Sequence, residues 1–152
     1  MTGVLLWLSI AVGAELPAAP DLEGVQWIAR GPIEAIEAEI QVVEVWATWC
    51  GPCHETFPML SELQKDRTDL RVVALTDDGA DKVRRFFHKN GNDMRFAIAV
   101  ASEEKVREFM FGGYEGRGLP SIYVIKGGKM LWSGEPKGLK SALESFGVES
   151  AR

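Results

Sequence analysis

The sequence is poor in cysteine: 152 residues contain two. That excludes a multi-bridge disulfide scaffold and a four-cysteine zinc site. Histidine is as scarce, with only His54 and His88. No apolar run reaches the roughly 20 residues that a membrane-spanning helix needs. Positive charge is in deficit, with 17 Lys and Arg against 22 Asp and Glu and a net charge of −5. This argues against a nucleic-acid partner, because phosphate contacts require clustered cations. There is no internal repeat and no low-complexity tract. What remains is 46% hydrophobic and 26% charged residues, enough for one ordinary soluble domain with a core of its own.

The N-terminus carries one distinct feature. Val4 to Ala14, VLLWLSIAVGA, has the size of a signal-peptide apolar region and is too short to span as a helix. Residues 1–14 are therefore expected to be a signal peptide or N-terminal anchor, although no Lys or Arg precedes the run. Residues 15–20, ending in Leu16 to Pro20, read as a stiff, extended lead-in. A single domain follows over residues 21–152.

Within that domain the pattern alternates. Val42–Trp46 is a β-branched run that reads as a buried strand. The stretch from Cys50 to about Arg67 reads as a helix, with Phe57, Leu60 and Leu63 inward and Ser61 to Asp66 as a polar outside. Leu70–Leu75 is a buried strand. Ala80–Asn90 is a basic amphipathic helix, with Val83, Phe86 and Phe87 inward and Lys82, Arg84, Arg85 and Lys89 on a solvated face. Phe96–Val100 is a strand, and Ser102 opens a helix that stops at Gly112-Gly113. Ser121–Ile125 and Lys129–Trp132 flank Gly127-Gly128 and form a hairpin. Leu139–Phe146 closes the chain as a helix. The order β-α-β-α-β-α-β-β-α predicts an α/β sandwich with early parallel strands and a late antiparallel hairpin. Val25–Ile40 adds an N-terminal strand or hairpin.

The two cysteines, Cys50 and Cys53, are three positions apart where a strand hands over to a helix. Cys50 would sit at the helix N-terminus, where unpaired N–H groups and the macrodipole favour a thiolate. Cys53 would lie one turn in on the same face, near enough to close a small disulfide ring. Pro52 suits the first helical turn. A nucleophile with a built-in resolving thiol is the result. Zinc would need two further ligands, and His54, adjacent to Cys53, points off a different side of the helix. A purely structural bridge closing so short a loop would remove little chain entropy.

The stretch Val42 to Pro58, VVEVWATWCGPCHETFP, resembles the active-site segment of the thioredoxin superfamily, and within it the exported or membrane-tethered TlpA/ResA-like thiol-disulfide oxidoreductases. Trp49 precedes the first cysteine, Gly51-Pro52 separates the pair, Pro58 follows Cys53 by five residues, and Glu44 precedes Cys50 by six. Gly118-Leu119-Pro120-Ser121 is similar to the family's cis-proline loop. The resemblance implies a thioredoxin-like three-layer α/β/α sandwich with a mixed central sheet. It also implies roles. Cys50 would attack and Cys53 resolve; Glu44 would exchange a proton with Cys53. Trp49, Gly51, Pro52, Leu119 and Pro120 would form the substrate surface, with Leu119–Pro120 cis. No metal and no cofactor beyond the Cys50–Cys53 disulfide is implied. His54 departs from the Lys or Arg usual after the second cysteine, and reads as a solvated helix residue.

The function expected is reduction of protein disulfides in an extracytoplasmic compartment. The implied partners are a disulfide-containing protein and a membrane electron donor, with cytochrome c maturation as one setting and a monomer as the acting form. A disulfide-forming oxidase of the same fold is the alternative, and a redox-silent binding module or metal chaperone is the reading from another class. Trp27, Trp46 and Trp132 read as core packing rather than a ligand-binding set.

Overall fold

The computed structural model describes residues 15–31, 38–112 and 118–149. The expected leader over residues 1–14, Gly113 at the expected helix stop, and any hairpin partner within residues 32–37 lie outside the described residues. Ten main elements follow in order: β1 Gln26–Ala29, β2 Ile40–Val45, α1 Gly51–Gln64, β3 Leu70–Thr76, α2 Ala80–Asn90, β4 Ala97–Val100, α3 Glu103–Gly112, β5 Ser121–Lys126, β6 Lys129–Gly134 and α4 Leu139–Ser145. The strands form one sheet in the order β1-β4-β3-β2-β5-β6. β2, β3 and β4 pair in parallel, whereas β1, β5 and β6 join antiparallel. The mixed sheet and the N-terminal strand agree with the expected fold.

Alternation along the central strands builds two cores. Val43, Val45, Val73 and Leu75 face one side and pack with Val106 and Phe109 of α3. Val42, Trp46, Val72 and Ala74 face the other, against Phe57 and Leu60 of α1, Val83 of α2, and Leu139 and Leu143 of α4. Helices therefore cover both faces, which makes β2 and β3 buried throughout most of their length and explains their lack of a polar face. The hairpin between β5 and β6 turns on Gly127 and Gly128, with φ of 56° and 72°. Two successive positive φ values suit a two-residue type I′ turn, whose twist matches that of the strands.

Two expectations are corrected. α1 ends at Gln64 rather than near Arg67; Asp66 just beyond it adopts φ 56°, a left-handed conformation that stops a helix. The segment from Ser61 is not simply a polar outside. Ser61 and Gln64 are buried, because they continue the stripe begun by Phe57 and Leu60 at helical spacing. Gln64 Nε2 donates to Leu70 O at 3.1 Å, and its Oε1 accepts from Val72 N at 2.7 Å. It thus satisfies backbone groups at the start of β3. Ser61 Oγ likewise accepts from Arg95 N.

The lead-in docks on the sheet, with Ala18 bridging Lys129. Ala19 N donates to Gly128 O and Met130 N to Pro17 O, each at 2.9 Å. Those bonds cover part of the edge of β6. Among the described residues no helix is long and apolar enough to cross a membrane.

Candidate active site

β2 leaves the sheet at Val45 and the chain reaches Cys50 through Trp46-Ala47-Thr48-Trp49. Trp46 is buried, and its ring meets Phe57 and Phe86 with centroids 5.2 Å away in each case. That anchors the loop from below. Asp78, in the β3–α2 loop, holds it from the side: its Oδ2 accepts from Thr48 N at 2.7 Å and from Thr48 Oγ1 at 2.8 Å. Lys82 donates to the other carboxylate oxygen at 2.9 Å. Burial pushes the Asp78 carboxyl up, but the Thr48 N–H, Lys82 and the Thr48 hydroxyl outweigh it and hold the group below its ordinary 3.8.

Cys50 is the N-cap of α1, and its sulfur accepts from Cys53 N at 3.3 Å. Pro52 occupies the first turn, where its missing N–H leaves nothing unsatisfied. Cys50 and Cys53 form a disulfide with a Cα–Cα distance of 5.3 Å. The two sulfurs are not equivalent. Cys53 is 0% exposed and Cys50 4%, and Cys50 is bordered by exposed Trp49, Gly51 and Pro52. Trp49 is 72% exposed, so it stands beside the dithiol as open apolar surface. Pro58 lies within α1, where it has no N–H for the helical ladder.

The Leu119–Pro120 bond is cis. Ser121 pairs with Val45 across β2 and β5, which brings Leu119 and Pro120 to the sheet end where the loop to Cys50 departs. Ser121 Oγ donates to Gly118 O at 2.6 Å and secures the turn before the proline.

Glu44 is fully buried in the middle of β2, flanked in register by Ala74 of β3 and Ile122 of β5. Burial drives its carboxyl from an ordinary 4.5 up to about 8, and a hydrogen bond from Thr56 opposes this only in part. Thr56 Oγ1 lies 2.8 and 2.7 Å from the two carboxyl oxygens and 2.7 Å from Cys53 O. The carboxyl is therefore one side chain away from the backbone of Cys53.

His54 is not the solvated helix residue expected. It is half-buried, its ring sits 4.9 Å from Phe86 and 5.7 Å from Phe57 by centroid, and its Nε2 is buried without a hydrogen-bond partner among the described residues. Lys82, Arg84, Arg85 and Lys89 do form an exposed face. Sequence reasoning misses two participants, Thr56 and Asp78. Thr56 carries a local signal, since it lies three residues after Cys53 on the same helical face. Asp78 carries none, being 30 residues from the Thr48 it holds.

Such a pair of sulfurs at a helix N-terminus, beside a cis-proline and above a buried acid, can be compared with known proteins. The sequence profile of the thioredoxin family matches residues 33–110. The chain belongs to the thioredoxin family. Its TlpA/ResA-like character appears in its relatives. It is 35% identical over 92 residues to the thiol:disulfide interchange protein CycY of Rhizobium leguminosarum bv. viciae, covering 60% of this chain and 46% of that protein. It is 26% identical over 141 residues to the thiol-disulfide oxidoreductase ResA of Bacillus thuringiensis, covering 89% of this chain and 76% of that one. The fold matches the crystal structure of a thiol-disulfide isomerase from Corynebacterium glutamicum with a TM-score of 0.62 at 19% identity, over 89% of this chain and 95% of that one. A Cys50–Cys53 disulfide on a thioredoxin fold is the equipment of a thiol-disulfide oxidoreductase.

Proposed function

We propose that this thioredoxin-family chain reduces disulfides in protein substrates, in an extracytoplasmic compartment and as a monomer. The observation that carries the reading is the asymmetry of the dithiol. Cys50 caps the helix, receives the Cys53 N–H on its sulfur and is bordered by exposed residues, while Cys53 is sealed beneath it. In the reduced protein the same N–H and the helix dipole favour the Cys50 thiolate. That thiolate attacks a substrate disulfide, forming a Cys50–substrate bond and releasing one substrate thiolate. Cys53 then loses its proton and attacks Cys50, forming the Cys50–Cys53 bond and releasing the second substrate thiolate. Two electrons have passed to the substrate. Glu44, in its ionised form, takes the Cys53 proton, and in the reverse direction the neutral acid returns it. Trp49, Gly51, Pro52, Leu119 and Pro120 supply the surface over which an extended substrate segment lies.

The reducing direction is supported by the Gly-Pro dipeptide between the cysteines, which is thioredoxin's own; that protein works at about −270 mV. The compartment is supported by the apolar run of Val4 to Ala14 and by the resemblance to exported relatives. There a membrane electron donor would restore the dithiol, and apocytochrome disulfides are a suitable substrate class, leaving as thiols. The test is the redox potential of the Cys50/Cys53 couple against glutathione or dithiothreitol, with insulin reduction alongside. A value near thioredoxin's, with insulin cut, is expected. A potential near about −120 mV, that of a strong oxidant, would overturn the direction.

A further inference from the structure

The hydroxyl of Thr56 stands between two acceptors that it cannot serve at once. Its oxygen is 2.8 and 2.7 Å from the Glu44 carboxyl oxygens and 2.7 Å from Cys53 O. Both side chains are buried, Thr56 at 7% exposure and Glu44 at 0%, where an unmet hydrogen-bonding group is costly. A threonine hydroxyl carries one proton and two acceptor lone pairs. From that count we propose that Thr56 is a positioning residue that couples the protonation of Glu44 to the backbone carbonyl of Cys53. This rests on the oxidoreductase reading above and deepens it.

Two arrangements satisfy the geometry. With Glu44 protonated, its O–H donates to Thr56 Oγ1, and the Thr56 O–H donates onward to Cys53 O. With Glu44 ionised, the carboxylate has no proton to give, so the Thr56 O–H turns to it and the Cys53 carbonyl loses that donor. The switch moves one hydroxyl proton through a rotation about the Cβ–Oγ bond, with no bond to carbon, sulfur or nitrogen made or broken. It ties the charge of the buried acid to the first turn of the helix that carries the resolving sulfur. The proton that Cys53 sheds on attack would thus alter the hydrogen bonding of its own peptide carbonyl.

The surroundings leave the coupling undisturbed. Ala74 and Ile122 flank Glu44 in the sheet, and α2 and α4 reach this core layer through Val83, Leu139 and Leu143. Cys50 and Cys53 lie on this side but are joined as a disulfide and carry no proton in the oxidised protein, and His54 stands at the rim beside Trp46. Burial and the Thr56 bond account for the displacement of the Glu44 carboxyl, with no opposite or like charge contributing.

The experiment follows two signals in the same sample. Carbon-13 labels on the Glu44 carboxyl and on the Cys53 carbonyl are read by NMR across pH, in the oxidised protein. The two resonances should titrate with one midpoint. A Cys53 carbonyl that stays flat while Glu44 titrates would overturn the proposal in the wild-type protein, without any variant. Thr56→Val keeps the shape and removes the hydroxyl. It should abolish the Cys53 response and raise the Glu44 midpoint, leaving roughly fivefold less carboxylate at a given lower pH, because a donor to the ionised form is worth more than one to the neutral form. Thr56→Ser should restore both signals. A Thr56→Val protein with an unchanged midpoint, or a Thr56→Ser protein that behaves like Thr56→Val, also overturns it. Insulin reduction by the wild type separates the two levels of inference. Coupled titration in an inactive protein removes the function and keeps the coupling; uncoupled titration in an active one does the reverse.

Discussion

Replacing Glu44 with Gln should make the protein more stable, and by an amount that depends on pH. Glu44 is fully buried, and its carboxyl is raised from 4.5 to about 8. A raised carboxyl means that the fold accepts the neutral form and resists the charged one. Below pH 4.5 the group is neutral in both the folded and unfolded chain, so its protonation costs nothing there. As pH climbs from 4.5 toward about 8, the unfolded chain releases the proton and the folded chain keeps it. Stability is lost at about 1.36 kcal/mol for each pH unit across that window. At pH 7 the accumulated cost is about 3 kcal/mol, and above the folded value it levels off. Gln is neutral throughout and still offers Thr56 an amide oxygen, so it removes the slope while keeping the shape. Urea melts of the oxidised proteins, which take thiol titration out of the comparison, should show a small gap at pH 4.5. The gap should widen to about 3 kcal/mol at pH 7, or roughly 6–12 °C in melting temperature for a domain of this size. The same substitution should slow resolution of the mixed disulfide. A gap of equal size at pH 4.5 and pH 7, or a Glu44→Gln protein that is less stable at pH 7, would refute the assignment of Glu44 as a neutral buried acid.

Cys50→Ser should abolish insulin reduction, whereas Cys53→Ser should trap mixed disulfides visible on a non-reducing gel; the opposite pattern would reverse the roles of the two sulfurs. Asp78→Asn should cost about 2 kcal/mol at neutral pH, since charge-assisted bonds to Thr48 and Lys82 are lost. The Asp78 carboxyl lies below its ordinary 3.8, so its contribution is present above that pH and lost as pH falls through the folded value. Melts of wild type and Asp78→Asn should therefore converge in acid, and a constant gap would show that its charge is irrelevant. Trp49→Ala should leave stability within about 0.5 kcal/mol, because the ring is 72% exposed, yet raise KM for a protein substrate; an unchanged KM would remove Trp49 from the binding surface.

Much of this architecture was legible from local patterns. The strand cores of β2 and β3, the Gly127-Gly128 turn and the helix start at Pro52 follow from neighbouring residues alone. The dithiol needs only its spacing and its strand-to-helix setting, and the cis bond before Pro120 came from resemblance rather than periodicity. What stayed hidden depends on partners distant in sequence. Ser61 and Gln64 look like surface residues of α1 until β3 is seen to leave Leu70 O and Val72 N for Gln64 to bind. The lead-in becomes an edge cover only because β6 ends the sheet beside it. His54 reads as solvated until Phe86 of α2 arrives across the groove. In each case a polar or flexible segment takes its place from a tertiary contact that overrides its local preference.

Glu44 and Asp78 make the point about the site itself. Both are carboxyls withdrawn from water near the dithiol, and their charge states diverge in opposite directions. The difference lies in the donors each receives. Asp78 collects a backbone N–H, a hydroxyl and a lysine ammonium, and these together outweigh its partial burial. Glu44 has a single hydroxyl, and that hydroxyl also faces Cys53 O. One shared donor does not offset complete burial, so the acid stays neutral until about pH 8. The fixed charge belongs to the carboxylate that holds the Thr48 loop in place, where ionisation must not fluctuate. The movable proton belongs to the acid beneath Cys53, which in the proposed reaction would take a proton up and return it in each cycle. Residue type alone does not separate the two roles; the number of donors aimed at each carboxyl does.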